Sequence, residues 1–253
     1  LDLLTRARKA MCEKYGMELK DRVTIEIFPD QKDFAIRTFG LPGGAGYLGV
    51  CFGKVITANS PAALKQNTAN WEAVLWHEFC HVVTLQATRN RMPRWLSEGI
   101  SVYEEKQANI VWGQAINPTY RKMILEGELT PVGQLSAAFL RARSALHLQF
   151  AYYESSLVVE YIIETRGLDA MRKVLKDLHE GVYINAALAK HVAPMAELEA
   201  NFEAWARKLA EATAPDADWT ELPPQAIRGG EALDAFLKEH PDSFAGLMLL
   251  ASR

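Results

Sequence analysis

Residues 77–81 read His-Glu-Phe-Cys-His and lie inside an apolar, helix-forming run from Trp71 to Val83. With about 3.6 residues per helical turn, His77 and His81 stand one turn apart and point the same way. Two imidazoles so placed supply two of the three protein ligands of a catalytic zinc, one ion per chain, with a position left for water. Glu78, on the adjacent flank, is then placed to act as general base on that metal-bound water. A third ligand is expected downstream, where Pro93-Arg94-Trp95-Leu96-Ser97-Glu98-Gly99 reads as a second helix entered from a proline-containing loop. Glu98 falls near its first turn, facing the first helix, and a carboxylate is an ordinary zinc ligand beside two imidazoles. Glu105 follows Glu98 by two turns on nearly the same face, within reach of the free ring nitrogen of a ligand histidine. Glu104 reads as part of a solvated helix face. Cys80, at the third variable position of the motif, reads as a small core residue.

HExxH followed by Trp-Leu-Ser-Glu-Gly resembles the gluzincin metallopeptidases, in particular the bacterial peptidase-MA-like proteins, over roughly residues 20–165 and most closely over 71–105. The resemblance implies zinc on His77, His81 and Glu98, with Glu78 as catalytic acid and base. It also implies that Tyr153, in the run Gln149-Phe150-Ala151-Tyr152-Tyr153-Glu154, donates to the oxyanion, with Tyr152 as runner-up and His147 as a weaker candidate. In gluzincins the sheet edge before the HExxH helix pairs with the peptide substrate, a role that would fall here to Gly49–Phe52. The Gly-x-Met-Glu-Asn segment with which gluzincin aminopeptidases hold a substrate's amino terminus has no counterpart in this chain. Sixteen residues separate His81 from Glu98, slightly fewer than in those aminopeptidases, and no histidine follows His81 until His147, which excludes the metzincin arrangement. The family setting favours a bacterial, exported or periplasmic protein, although no signal segment lies in the chain.

The elements that must position these residues fall into two parts. An amphipathic helix over 1–18, a strand at 22–28, a helix within 29–38 and a strand region at 47–57 precede the HExxH helix, which starts near Pro61 or Asn70. After the Glu98 helix come helical patterns near 117–126, 133–142, 151–166, 168–179, 184–191 and 195–213. This predicts an α+β, zincin-like metallopeptidase: a small N-terminal sheet lobe and a mostly helical C-terminal lobe, with the metal between them. Residues 1–213 form the expected catalytic domain, and the Pro-, Gly- and Asp-rich stretch 214–230 reads as a linker. Residues 231–253 read as a helical pair resembling the start of tetratricopeptide-like repeats. Such a pair cannot bury its own face, so it calls for further repeats beyond Arg253 or for packing on the catalytic domain. The first residue, Leu1, reads as a processed or excised chain.

Leu41–Gly46 reads as a flexible loop beside the cleft; it is no phosphate loop, because no Lys-Ser/Thr follows and no helix opens from it. The chain carries a net charge of −3 with no basic stripe, which argues against nucleic acid as partner. No stretch approaches the roughly 20 apolar residues of a membrane span. Three cysteines, Cys12, Cys51 and Cys80, make no disulfide framework. The expected partners are a peptide or protein substrate and, through the C-terminal helices, a protein. The leading expectation is a zinc-dependent peptidase. The alternatives are a zincin-fold binding or scaffold protein with little turnover, acting through its helical end, and a zinc hydrolase of a non-peptide amide.

Overall fold

The computed structural model of the protein describes residues 2–42, 46–63, 70–228 and 230–251. The chain is mostly helical with one small sheet, an α+β architecture. It folds as two compact units: Leu1–Gln114 with Pro131–Leu198, and Ala115–Thr130 with Glu199–Arg253.

In the first unit, helix α1 (Asp2–Tyr15) precedes strand β1 (Thr24–Phe28), whose Thr-Ile-Glu-Ile-Phe run suits a half-buried strand. Helix α2 (Gln31–Phe39) is started by Asp30, whose carboxylate accepts from the Lys32 and Asp33 amides, and is stopped at Gly40. The 47–57 stretch is not a single strand. It is an antiparallel hairpin of β2 (Gly49–Cys51) and β3 (Val55–Asn59), turned at Gly53 with φ +73°. Only glycine takes that backbone without strain, so the turn falls where the chain has no side chain. The sheet order is β1-β3-β2, with β1 parallel to β3, so β2 is an edge strand.

Two long helices follow on that hairpin. Helix α3 (Trp71–Ala87) begins at Asn70, whose side chain accepts from the Glu72 and Ala73 amides at 3.0 and 3.1 Å. It is buried over most of its surface, in keeping with its largely apolar sequence. Arg89 and Asn90, both at positive φ, reverse the chain into helix α4 (Arg94–Ala108). A 3-10 turn at Val132–Gln134 and helix α6 (Leu135–Leu140) lead to helix α7 (Ala145–Arg166), followed by α8 (Leu168–Glu180) and α9 (Ile184–His191). Helix α4 packs on both α3 and α7, and α1 packs on α3. Trp95, Leu96, Ile100, Leu157, Ile162, Met171 and Met11 fill the core, each fully enclosed. Each such side chain contributes about 1.5–3 kcal/mol relative to exposure.

The second unit comprises α5 (Pro118–Leu125), most of α10 (Met195–Ala212), α11 (Pro224–Ile227), α12 (Glu231–Glu239) and α13 (Phe244–Ala251). Within it, Trp219 stacks on Phe244 with ring centroids 4.3 Å apart and lies beneath the Arg121 guanidinium. Asp218 accepts from the Thr220 amide and hydroxyl and pairs with His240. Among the described residues no helix is long and apolar enough to cross a membrane.

Candidate metal site and cleft

Helix α3 presents His77 and His81 one turn apart, and α4 brings Glu98 against them. Nε2 of His77 lies 3.1 Å from Nε2 of His81, and Glu98 Oε2 lies 3.2 and 3.3 Å from the two nitrogens. The three atoms form a nearly equilateral triangle. An ion bound tetrahedrally at about 2.0–2.1 Å holds its ligands about 3.3 Å apart, so the triangle is of a size to hold a metal ion. Proton bookkeeping points the same way. The Nδ1 of His77 meets the Glu105 carboxylate, which can only accept, so Nδ1 carries a proton and Nε2 is the ring atom that could face a metal ion in the triangle. The Nδ1 of His81 is met by two hydroxyls, Ser97 Oγ at 2.8 Å and Ser101 Oγ at 3.2 Å. Two ring nitrogens and a carboxylate oxygen this close call for positive charge between them, a proton or a metal ion.

The surrounding carboxylates favour positive charge at His77. Burial opposes a charge on His77, but its hydrogen bonds to Glu105 and Glu98 raise its pKa well above the usual imidazole value. Burial likewise opposes ionisation of Glu98, yet the two imidazoles hold its carboxyl below the usual range.

Glu78 sits beside the triangle, 7% exposed. Burial raises its pKa above the ordinary carboxylate value, with the two imidazoles pulling the other way. Strand β2 crosses directly over it. A side chain at Gly49 would place its first carbon 2.8 Å from Glu78 Cγ and 3.1 Å from Oε1, so the absence of that side chain makes room for the carboxylate.

A second close approach sets α4 against α7. A first side-chain carbon at Gly99 would lie 2.5 Å from the Ser155 carbonyl oxygen, closer than packed atoms can approach. Bare backbone at Gly99 lets α7 come close enough for Tyr152, one turn before Ser155, to reach the cleft beside Glu98. Tyr152 lines both hollows of that cleft, one of about 500 Å³ and one of about 470 Å³, which share Tyr47, Gly49, His77 and Glu78 with it. The first hollow extends past Val50, Cys51, Leu85, Met92 and Arg94, the second past Val74, Glu105, Val111 and Trp112. Burial and the neighbouring Glu78 push the Cys51 thiol up to about 12, so it is a neutral wall of the cleft.

Most of the residues singled out in the sequence come together here: His77, Glu78, His81, Glu98 and Glu105. Tyr153 does not. It is 4% exposed, lies among core side chains beside Phe150, and lines neither hollow, whereas its neighbour Tyr152 does. The helix carrying both begins at Ala145, not 151, so the tyrosines sit two turns inside it and point about 100° apart. His147 stays at the start of α7, bonded to Ser144 Oγ, and lines neither hollow. Glu104 is not on a solvated face. It is buried, ion-paired with Lys14 at 2.8 Å and bonded by the Tyr15 hydroxyl at 2.6 Å, and so ties α4 to α1. Cys80 is fully enclosed in the core. Of the loop at 41–46, residues 43–45 lie outside the described residues, and so does 64–69 of the stretch before α3. Two residues of the site do not stand out in the sequence: Ser101, four after Ser97 on one helix face, and Arg94, four before Glu98. That spacing is the signal that could have found them.

The HExxH helix, a glutamate from the next helix and a sheet edge above them thus meet in one cleft, with three side chains placed to hold a metal ion. Residues 6–208 match the Peptidase MA superfamily, and the chain belongs to it. No curated protein and no solved structure matches the chain.

Proposed function

We propose that the protein is a zinc-dependent peptidase of zincin-like layout, with zinc on His77, His81 and Glu98. The observation that carries this reading is the convergence of two imidazole nitrogens and a carboxylate oxygen at 3.1–3.3 Å, with Glu105 fixing the His77 tautomer. A zinc ion held there would supply Lewis acidity, lowering the pKa of water and polarising the scissile carbonyl.

The protein's own groups perform the rest. Glu78, raised by burial, accepts the proton of the attacking water and returns it to the leaving amine. Tyr152, not Tyr153, offers its hydroxyl to the oxyanion: its oxygen already accepts from Arg94 Nη2 at 2.9 Å, so the O–H proton is directed elsewhere. The substrate lies extended along β2. In the hairpin the amide of Phe52 bonds to Val55 and that of Asn59 to Leu48, so the pairs alternate and Gly49 and Cys51 turn their N–H and C=O groups outward. Those groups, beside Glu78, are free to pair with a peptide backbone.

Glu78→Gln tests the reading. Zinc content stays near one per chain while cleavage of a mixed peptide pool, read by mass spectrometry, disappears. Cleavage at the wild-type rate would remove Glu78 from the mechanism.

A further inference from the structure

We propose that Arg94 is the positioning residue of this cleft, holding the Tyr152 phenol and the Glu98 carboxylate at a fixed separation so that the phenol's proton faces the substrate. The inference rests on the peptidase reading above and extends it to a residue outside the HExxH pattern.

Arg94 opens α4 and lies one turn before Glu98 on the same face. Its Nε points to Glu98 Oε1 at 3.4 Å, while Oε2 of the same carboxylate faces the two histidines. Its Nη2 donates to the Tyr152 hydroxyl at 2.9 Å. Nε and Nη2 form one edge of the planar guanidinium, so a single rigid fork spans from α4 to α7. The plane is itself held: the guanidinium carbon lies 5.2 Å from the Phe139 ring centroid and 5.9 Å from that of Tyr152. Phe139 and Tyr152 in turn meet edge to face at 5.0 Å. The arginine therefore fixes both the position of the phenol and its hydrogen-bond sense. With the oxygen accepting from Arg94, the O–H is left to donate to another group, and the side chain lines the cleft. A lysine would give a point charge without the fork, and an alanine would leave the phenol free to turn onto Glu98.

The test is a double-mutant cycle on the zinc-loaded protein, using one peptide that the wild type cleaves. Arg94→Ala and Tyr152→Phe each lower kcat by about 100-fold, the usual cost of losing one oxyanion donor, with KM changed by less than about threefold. The double variant falls no more than about twofold below either single one, because Arg94 acts through Tyr152. Arg94→Lys recovers little of the loss. Zinc affinity, measured by chelator competition, is unchanged in Arg94→Ala, since Arg94 meets Oε1 of Glu98 and not the Oε2 that faces the two histidines. In a crystal structure of Arg94→Ala the phenol has left its wild-type position. Multiplying losses in the double variant, full rescue by lysine, activity loss that tracks lost zinc, or an unmoved phenol would each overturn the proposal. If the wild type cleaves no peptide, the peptidase reading fails, and the phenol position in Arg94→Ala still decides whether Arg94 holds it.

Discussion

At the scale of single residues, the site depends on atoms that are missing as much as on those present. Gly49→Ala would drive a methyl group to within 2.8 Å of Glu78 Cγ, so either β2 or the carboxylate must shift. The expected result is a loss of about tenfold or more in kcat/KM with zinc content unchanged, because misplacement by about 1 Å is costly in catalysis and no ligand is touched. Unaltered kinetics would show that the strand has slack there. Glu105→Gln removes the carboxylate that fixes the His77 tautomer and should weaken zinc binding by about 10–100-fold, measured by chelator competition. That the two histidines, Glu78 and Glu98 lie together could be read from the sequence, the histidines from their one-turn spacing and Glu98 from the short connection to the next helix. The choice between Tyr152 and Tyr153 could not be made, since adjacent residues on a helix differ by about 100° and only the packing of α7 on Gly99 decides which one faces the cleft.

At the scale of elements, that same packing is the most demanding. Gly99→Ala places a carbon 2.5 Å from the Ser155 carbonyl oxygen, and backbone cannot yield as a flexible side chain would. Overpacking of this kind costs about 1–3 kcal/mol, read as a lower midpoint in denaturant titration; a midpoint equal to the wild type would mean that α4 and α7 separate easily. In the second unit, Asp218 is held at about 2 by its bonds to Thr220 and by His240. Its folded pKa lies below the unfolded value of about 3.9, so its stabilising contribution is complete above that value and is lost as pH falls toward 2. A carboxyl titration of Asp218 by NMR should show a midpoint near 2; one near the unfolded value would contradict the pairing. The hairpin was hidden in the sequence because 47–57 is uniformly strand-like, and Gly53 is the sole residue marking its turn. The buried role of Glu104 was equally hidden, because its partners Lys14 and Tyr15 lie far away in sequence.

At the scale of the molecule, helix positions followed from apolar periodicity, and most began and ended within a few residues of the pattern. How they group did not follow. Residues 115–130 belong with 199–253, a relation set by packing such as that of Arg121 over Trp219, which no local pattern encodes. The triangle of His77, His81 and Glu98 belongs wholly to the first unit, so zinc bound there should stabilise that unit by mass action. At free zinc about 1,000-fold above its Kd the gain is about 4 kcal/mol, and chelation should lower a calorimetric unfolding temperature accordingly. An identical thermogram with and without chelator would mean that the folded triangle binds no metal. Whether this triangle and Glu78 together hydrolyse peptide bonds is decided by one paired experiment: zinc content and peptide cleavage in the wild type and in Glu78→Gln. The expected outcome is about one zinc per chain in both, and cleavage in the wild type alone. A wild type that holds zinc but cleaves no peptide, or a Glu78→Gln variant that cleaves as well as the wild type, would refute the peptidase mechanism.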